Sequence, residues 1–369
     1  MTAAYYINPR SGASWPANQA LWCAPDDGGL LELTPGKGLG PDEIERSDLS
    51  LWRYRAAIRV EDKSRVSLGE GFTPLVETEW GGRRLLFKCE HLMPTGSFKD
   101  RGAAVMMSHL KQTGVAALLE DSSGNAGASI AAYAAAADLH ACIMAPAGAP
   151  VAKRVQIAAV GAELQKLPGD RDAVGRAALA AAEERFYASH NRQPFFLEGI
   201  RTLAFELWEQ LGFRAPAAVA APCGNGANIL GLYLGFRELQ MAGQIAALPR
   251  LHAVQAANNA PIRALFDGRV RAQGPTIADG IATAQPIRGR MVADAVKATG
   301  GTVPVVSEEA ILDALGRLAR SGWFLEPTSA VVAAALPQIP EDDNLVLVLT
   351  GSGLKTLDIH AELAGLSGT

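Results

Sequence analysis

Met93-Pro94-Thr95-Gly96-Ser97-Phe98-Lys99-Asp100-Arg101-Gly102 places one lysine where a Gly-Ser turn runs into a helix, framed by an aromatic residue and small ones. Apolar neighbours and the positive end of a helix starting at Asp100 both disfavour the charged form of Lys99. A neutral amine is a nucleophile, and the usual task of an activated lysine is a Schiff base with a carbonyl. Without partner motifs, Lys99 would read as an ordinary solvated lysine.

Three further stretches supply partners. Ser122-Ser123-Gly124-Asn125-Ala126-Gly127-Ala128-Ser129 follows an apolar run at residues 115–119 and precedes an alanine-rich helix expected from about Ser129. Pro222-Cys223-Gly224-Asn225-Gly226-Ala227-Asn228 lies between a run at 217–221 and a helical stretch at 229–239. Leu349-Thr350-Gly351-Ser352-Gly353 follows the buried-strand pattern of residues 345–348. Strands ending in glycine turns suit an open α/β sheet whose ligand sits at the carboxyl ends of the strands.

A Gly-Asn-Gly-Ala-Asn loop opening a helix offers converging backbone N–H groups and a positive dipole end, which suits a phosphate. No Gly-Lys-Ser/Thr follows, so it is not a Walker loop, and the G-x-G-x-x-G dinucleotide spacing is missing. Either glycine loop alone would read as a tight turn. A phosphate cradle together with a buried, reactive lysine implies a cofactor with both a phosphate and an aldehyde, pyridoxal phosphate.

On these motifs the chain resembles the threonine synthase-like family of fold type II pyridoxal-phosphate enzymes, which share the tryptophan synthase β-subunit fold. The resemblance runs from about Leu51 to Lys355. It also includes Trp52-Arg53-Tyr54-Arg55, Leu68-Gly69-Glu70-Gly71-Phe72-Thr73-Pro74-Leu75, Leu197-Glu198-Gly199, Ile277-Ala278-Asp279-Gly280-Ile281 and Glu326-Pro327-Thr328-Ser329. It implies a two-domain α/β protein, each domain an open, mostly parallel sheet flanked by helices. Residues 1–50 would form an arm, 51–100 and 195–369 the large cofactor domain, and 101–194 a small mobile domain.

The resemblance also implies roles. Lys99 would carry the cofactor and shuttle the Cα proton, with Phe98 packed beside the ring. Asn125 would bond the ring hydroxyl, and Gly224, Asn225, Gly226, Ala227 and Asn228 would hold the phosphate. Thr350 would face the pyridine nitrogen. Ser122 and Ser123 would meet the substrate carboxylate at a helix N-terminus.

Several positions depart from the family. Ala126 stands where relatives carry threonine, Asn191 where they carry serine, and Phe196 where they carry arginine. These are anchors for a substrate phosphate, and each charge-assisted hydrogen bond is worth roughly 1.5–3 kcal/mol. Lys153, Arg154, His190 and Arg192 are candidate replacements that sequence cannot place. Ala126 and Phe196 are therefore read as substrate-facing positions, Phe196 suggesting an apolar substrate end. Met93 replaces a usual asparagine, with no mechanistic consequence to attach to it. Cys23-Ala24-Pro25-Asp26-Asp27-Gly28-Gly29 looks like the remnant of a zinc knuckle, but with one cysteine left it reads better as a surface turn before a short strand, and no metal is expected.

In 369 residues, 49% hydrophobic, there is material for a large core, and a net charge of −4 argues against nucleic acid as a partner. Four scattered cysteines suit a reducing cytoplasm, and Cys223 reads as a packing residue. No signal peptide or membrane span is expected, because residues 126–137 are apolar but too short. Strands are expected near 85–89, 116–119, 140–144, 163–167, 217–221, 251–255, 302–306 and 345–349. An amphipathic helix is expected at 308–319 behind a Ser307 cap.

The expected function is a lyase, a cytoplasmic homodimer acting on a small amino acid. The family default is O-phosphohomoserine to threonine, with elimination and replacement at Cβ and Cγ. The alternative is an ammonia-lyase or dehydratase taking an unphosphorylated β-hydroxy amino acid such as threonine, serine or phenylserine, and a β-replacement synthase comes third. A non-catalytic binding protein that has kept the fold is the reading from another class, and the intact lysine and both loops speak against it.

Overall fold

The structure, a computed structural model, describes residues 4–148, 151–169, 171–269 and 273–366. Its strands are β1 (Tyr5–Ile7), β2 (Ser14–Pro16), β3 (Glu32–Leu33), β4 (Leu75–Trp80), β5 (Arg83–Lys88), β6 (Ala117–Glu120), β7 (His140–Pro146), β8 (Glu163–Leu167), β9 (Phe186–Tyr187), β10 (Ala218–Pro222), β11 (Arg250–Ala256), β12 (Val305–Val306) and β13 (Leu345–Val348). The chain divides into two compact units, Met1–Phe72 with Lys99–Thr202, and Thr73–Phe98 with Leu203–Thr369.

The first unit carries a four-stranded parallel sheet in the order β8-β7-β6-β9. Its middle strands are near-continuous apolar runs, as Cys142-Ile143-Met144-Ala145 is, because both faces are covered. Helices Lys99–Gln112, Asn125–Ala137, Val151–Ala159 and Arg171–Ala181 belong to this unit. An antiparallel sheet β2-β1-β3 holds the N-terminal segment, and Tyr6 fastens it: its hydroxyl lies 2.8 Å from His109 Nε2.

Residues 51–72, expected in the large domain, group here with the Lys99–Thr202 segment, and so does the expected arm. Buried polar bonds give the reason. The Glu70 carboxylate accepts from Trp52 Nε1 (3.1 Å) and from the Tyr133 hydroxyl (2.8 Å), and Val66 N–H donates to Ser108 Oγ (2.9 Å).

The second unit is built on a six-stranded sheet, β12-β11-β10-β13-β5-β4, parallel except where β4 runs against β5. The β4–β5 hairpin is not among the sequence expectations, although Gly81 and Gly82 between the strands both adopt positive φ (58° and 75°), as a two-residue hairpin turn demands. Strand β12 is shorter than expected, since Pro304 has no N–H to give a ladder. The helix Glu308–Arg320 forms as expected: Ser307 Oγ caps Ala310 N–H, and Ile311, Leu315 and Leu318 pack into a core with Phe87, Val254 and Leu347.

Candidate active site

In the first unit, Lys99 opens the helix Lys99–Gln112 and is half-buried rather than buried. Its Nζ stands 5.7 Å from the centroid of the Phe196 ring. Phe196 is fully buried on the helix Pro194–Ile200, an element absent from the sequence expectations. Two glycines let the helices approach. A Cβ on Gly102 would fall 2.5 Å from the Phe196 ring, and one on Gly199 would fall 2.0 Å from Arg101 O. Between them Glu198 takes ion pairs from Arg59 and Arg201, each at 2.7 Å. Burial pulls that carboxyl upward, but the two guanidiniums outweigh it and hold the group below its ordinary value.

The serine loop leaves β6 at Glu120 and enters the helix Asn125–Ala137, four residues earlier than expected. Gly124 caps it with extended backbone, and Gly127 permits the early start because a Cβ there would meet Ser122 O at 1.7 Å. Ser122 and Ala126 are buried, whereas Ser123 and Asn125 are half-buried. Two pairings here lie beyond the sequence reading. Ser129 Oγ donates to Asp100 Oδ1 (2.6 Å), tying this helix to the one that Lys99 opens. His190, which sequence could not place, gives Glu120 both its backbone N–H (3.0 Å) and its Nδ1 (2.8 Å), with its ring edge-on to Phe196 at 5.6 Å. No local pattern signals either pair, since the partners lie 29 and 70 residues apart.

The second unit holds the other expected residues. Strand β10 ends at Pro222, the loop turns through Gly224 and Gly226, and the helix Ala227–Met241 begins. Gly226 is left-handed (φ 86°), and a Cβ there would meet Val292 Cγ2 at 2.2 Å. A Cβ on Gly224 would meet Ile281 Cα at 2.9 Å. Asn225 Nδ2 donates to Thr283 Oγ1 (3.4 Å). Burial pushes the Cys223 thiol up to about 12, which suits packing and not nucleophilic work. Thr350 is buried at the end of β13, its Oγ1 lying 3.3 Å from Ser329 Oγ, and its carbonyl accepts from Phe98 N–H (3.1 Å). Phe98, Thr350 and the 224–228 loop thus share one unit, while Lys99, Ser122, Ser123, Asn125, Ala126 and Phe196 share the other.

Comparison with known proteins decides the family. A family model described as "Pyridoxal-phosphate dependent enzyme" matches residues 66–351. The chain belongs to the pyridoxal-phosphate-dependent enzymes. This enzyme is similar to the threonine synthase of Methanocaldococcus jannaschii, 35% identical over 95% of this chain and 92% of that protein. It is similar to that of Methanosarcina acetivorans at 30%, covering 93% and 90%. Among solved structures, a threonine deaminase from T.th. superposes with a TM-score of 0.62 at 31% identity, over 76% of this chain and 92% of that one. A tomato (Solanum lycopersicum) threonine deaminase shares the fold, with a TM-score of 0.68 at 22% identity over 91% of each chain. The fold is accordingly that of the fold type II pyridoxal-phosphate enzymes.

The residues present fit the cofactor, pyridoxal 5'-phosphate. The 224–228 loop leaves no room for a Cβ at Gly224 or Gly226 and opens the helix Ala227–Met241, and helix starts of this kind bind phosphate through backbone N–H groups. In the same unit two buried polar atoms, Asn228 Oδ1 and Ser97 Oγ, have no hydrogen-bond partner among the described residues, as expected of groups that meet a ligand.

Proposed function

We propose that this enzyme converts O-phosphohomoserine to threonine and inorganic phosphate, eliminating phosphate from Cγ and adding water at Cβ. What carries the reading is the near end-to-end similarity to two threonine synthases, on a chain that retains the lysine and both glycine loops. Bound pyridoxal phosphate supplies an aldehyde for the substrate amine and a ring that draws electrons from the α-carbon.

The chain's own residues do the rest. Gly224, Asn225, Gly226, Ala227 and Asn228 hold the cofactor phosphate, and Asn125 and Phe98 fix the ring. The Thr350 hydroxyl, unlike a carboxylate, does not force a proton onto the ring nitrogen, which favours elimination over transamination. Ser122 and Ser123 hold the substrate carboxylate. The Lys99 amine takes the proton from Cα and returns it, with its Nζ 5.7 Å from the centroid of the Phe196 ring. Ala126 and Phe196 border the substrate side chain. The same reading makes the enzyme a cytoplasmic homodimer; among the described residues no helix is long and apolar enough to cross a membrane.

The test is a substrate panel on purified holoenzyme. O-phosphohomoserine should yield threonine and phosphate in equal amounts. The second reading, a dehydratase, rests on the wholly buried Phe196 beside Lys99 and on the similarity to the T.th. deaminase. Ammonia and 2-oxo acid from threonine, serine or phenylserine, with no phosphate released from O-phosphohomoserine, would replace the first reading with the second.

A further inference from the structure

Tyr6, in the middle of β1, is fully buried, and its hydroxyl has two neighbours, Gln19 O at 3.2 Å and His109 Nε2 at 2.8 Å. A carbonyl only accepts, so the single hydroxyl proton goes to Gln19 and the imidazole donates from Nε2. His109 Nδ1 has no partner among the described residues, and in a neutral ring it then carries a lone pair and not a stranded N–H. Burial keeps the ring neutral by pulling it well below its ordinary value. These bonds fix both the tautomer and the plane of the ring. His109 stacks on Phe195 with 3.6 Å between centroids and 7° between planes, while Tyr6 meets Phe195 edge-on at 6.0 Å.

The N-terminal segment reaches the same stretch at two further points. Gln193 caps the helix Pro194–Ile200, its Oε1 accepting from Phe195 N–H (3.0 Å) and its Nε2 donating to Leu21 O (3.1 Å). Trp22 packs edge-on against Tyr187 of β9 at 5.4 Å. A helix of 7 residues does not hold its own shape, so its placement depends on what packs against it. Its next residue is Phe196, whose ring stands 5.7 Å from Lys99 Nζ. His109 belongs to the helix that Lys99 opens and Phe195 to the one that carries Phe196. Tyr6 thus braces both sides of the Lys99–Phe196 approach from within one unit.

We propose that Tyr6 is a positioning residue: by locking His109 against Phe195 it sets where the Phe196 ring stands beside the Lys99 amine. The N-terminal segment is then part of the support of the reactive centre and more than a cover for the core. This rests on the role proposed for Lys99, and not on which amino acid is turned over.

The experiment uses holoenzyme: wild type, Y6F, H109Q, F196A and Y6F/F196A, each checked for folding by circular dichroism. Y6F keeps the ring and removes the hydroxyl. H109Q keeps a partner for the hydroxyl and removes the stacked ring, so either variant serves should the other fold poorly. The first readout needs no substrate: the rate at which hydroxylamine strips the cofactor, followed by absorbance, which rises as the Lys99 nitrogen is uncovered. The second is kcat and KM for the amino acid turned over. A displacement of one ångström at a reacting group can cost about 10² in rate, and a smaller shift of the ring should cost about tenfold. Y6F and H109Q should therefore speed hydroxylamine release and lower kcat by about that factor, with KM moving much less. In the F196A background Y6F should add nothing, because the ring it acts through is gone. A merely structural Tyr6 would lower the unfolding midpoint and leave both readouts unchanged below it. That result, additive effects in the double variant, or an F196A that releases cofactor at the wild-type rate overturns the proposal. K99A is the control: cofactor still fixed to it by borohydride overturns the role of Lys99 and this proposal with it. Fixation lost in K99A, with wild-type hydroxylamine rates in Y6F and H109Q, overturns this proposal alone.

Discussion

The two strand–loop–helix connections are built by opposite means for the binding roles proposed for them. At residues 224–228 the proposed cofactor cradle is backbone, and glycine is required at Gly226 and Gly224 because a Cβ would strike Val292 or the backbone of Ile281. At residues 120–125 side chains make the recorded contact, Glu120 meeting His190 from the segment after β9. A cofactor that never changes can be met by rigid backbone. In the proposed function the substrate's distal end is met instead by exchangeable side chains, and Ala126, Asn191 and Phe196 are where this chain departs from the family pattern.

The contrast can be broken by substitution, and Lys99 gives the largest effect. K99A removes the proposed proton-transfer group, and positioned acid–base groups are worth roughly 10²–10⁴ in rate, so kcat should fall at least that far while the protein still folds. Stopped-flow or endpoint threonine assays read this, together with loss of borohydride-fixed cofactor. Next comes the ion-pair clamp of the side-chain half. E198Q leaves Arg59 and Arg201 without their carboxylate in a buried setting and should cost about 3–5 kcal/mol in urea unfolding. A loss under about 1 kcal/mol would mean that water reaches the pair.

The backbone half is tested at Gly226. G226A forces a side chain into left-handed backbone, worth about 1–3 kcal/mol, and against Val292. Cofactor affinity should fall with stability, as followed by cofactor absorbance during dialysis. Unchanged cofactor affinity in a destabilised G226A would show that the loop shapes the fold without holding the phosphate.

The same contrast explains what can be read from sequence. The lysine turn, the 224–228 loop and the strands around them are legible because glycine spacing and apolar runs are local. Strand β8 falls at residues 163–167 as expected, and Ser307 caps its helix. The Glu120–His190 and Asp100–Ser129 pairs are not legible, because no local rule brings residues 70 and 29 apart into contact. The grouping of residues 51–72 is hidden for the same reason, since it depends on Glu70 reaching Tyr133. The β4–β5 hairpin is different: Gly81-Gly82 between alternating residues carries a signal that the sequence expectations omit.

The smallest effect compares the two units directly through one buried histidine in each. Burial depresses His109 to about 3 in the first unit, and burial with Arg250 and Arg83 nearby depresses His252 to about 4 in the second. Both fold as neutral rings, whereas in the unfolded chain they take a proton near pH 6.5. Between the folded and unfolded values the unfolded state binds more protons, so stability rises with pH and is lost as pH falls below about 6.5. At pH 5.5 each histidine should cost roughly 1.4 kcal/mol relative to neutral pH. Native-state hydrogen exchange at pH 7.5 and 5.5 reads the two units separately, which a single unfolding midpoint would not. H109Q keeps a polar partner for the Tyr6 hydroxyl and should flatten the acid loss in the sheet of β6 to β9 only. H252Q should flatten it in the sheet of β10 to β13 only. Flattening of both sheets by either variant would mean that the two units open together on acidification, and neither variant having an effect would place the acid-sensitive groups elsewhere.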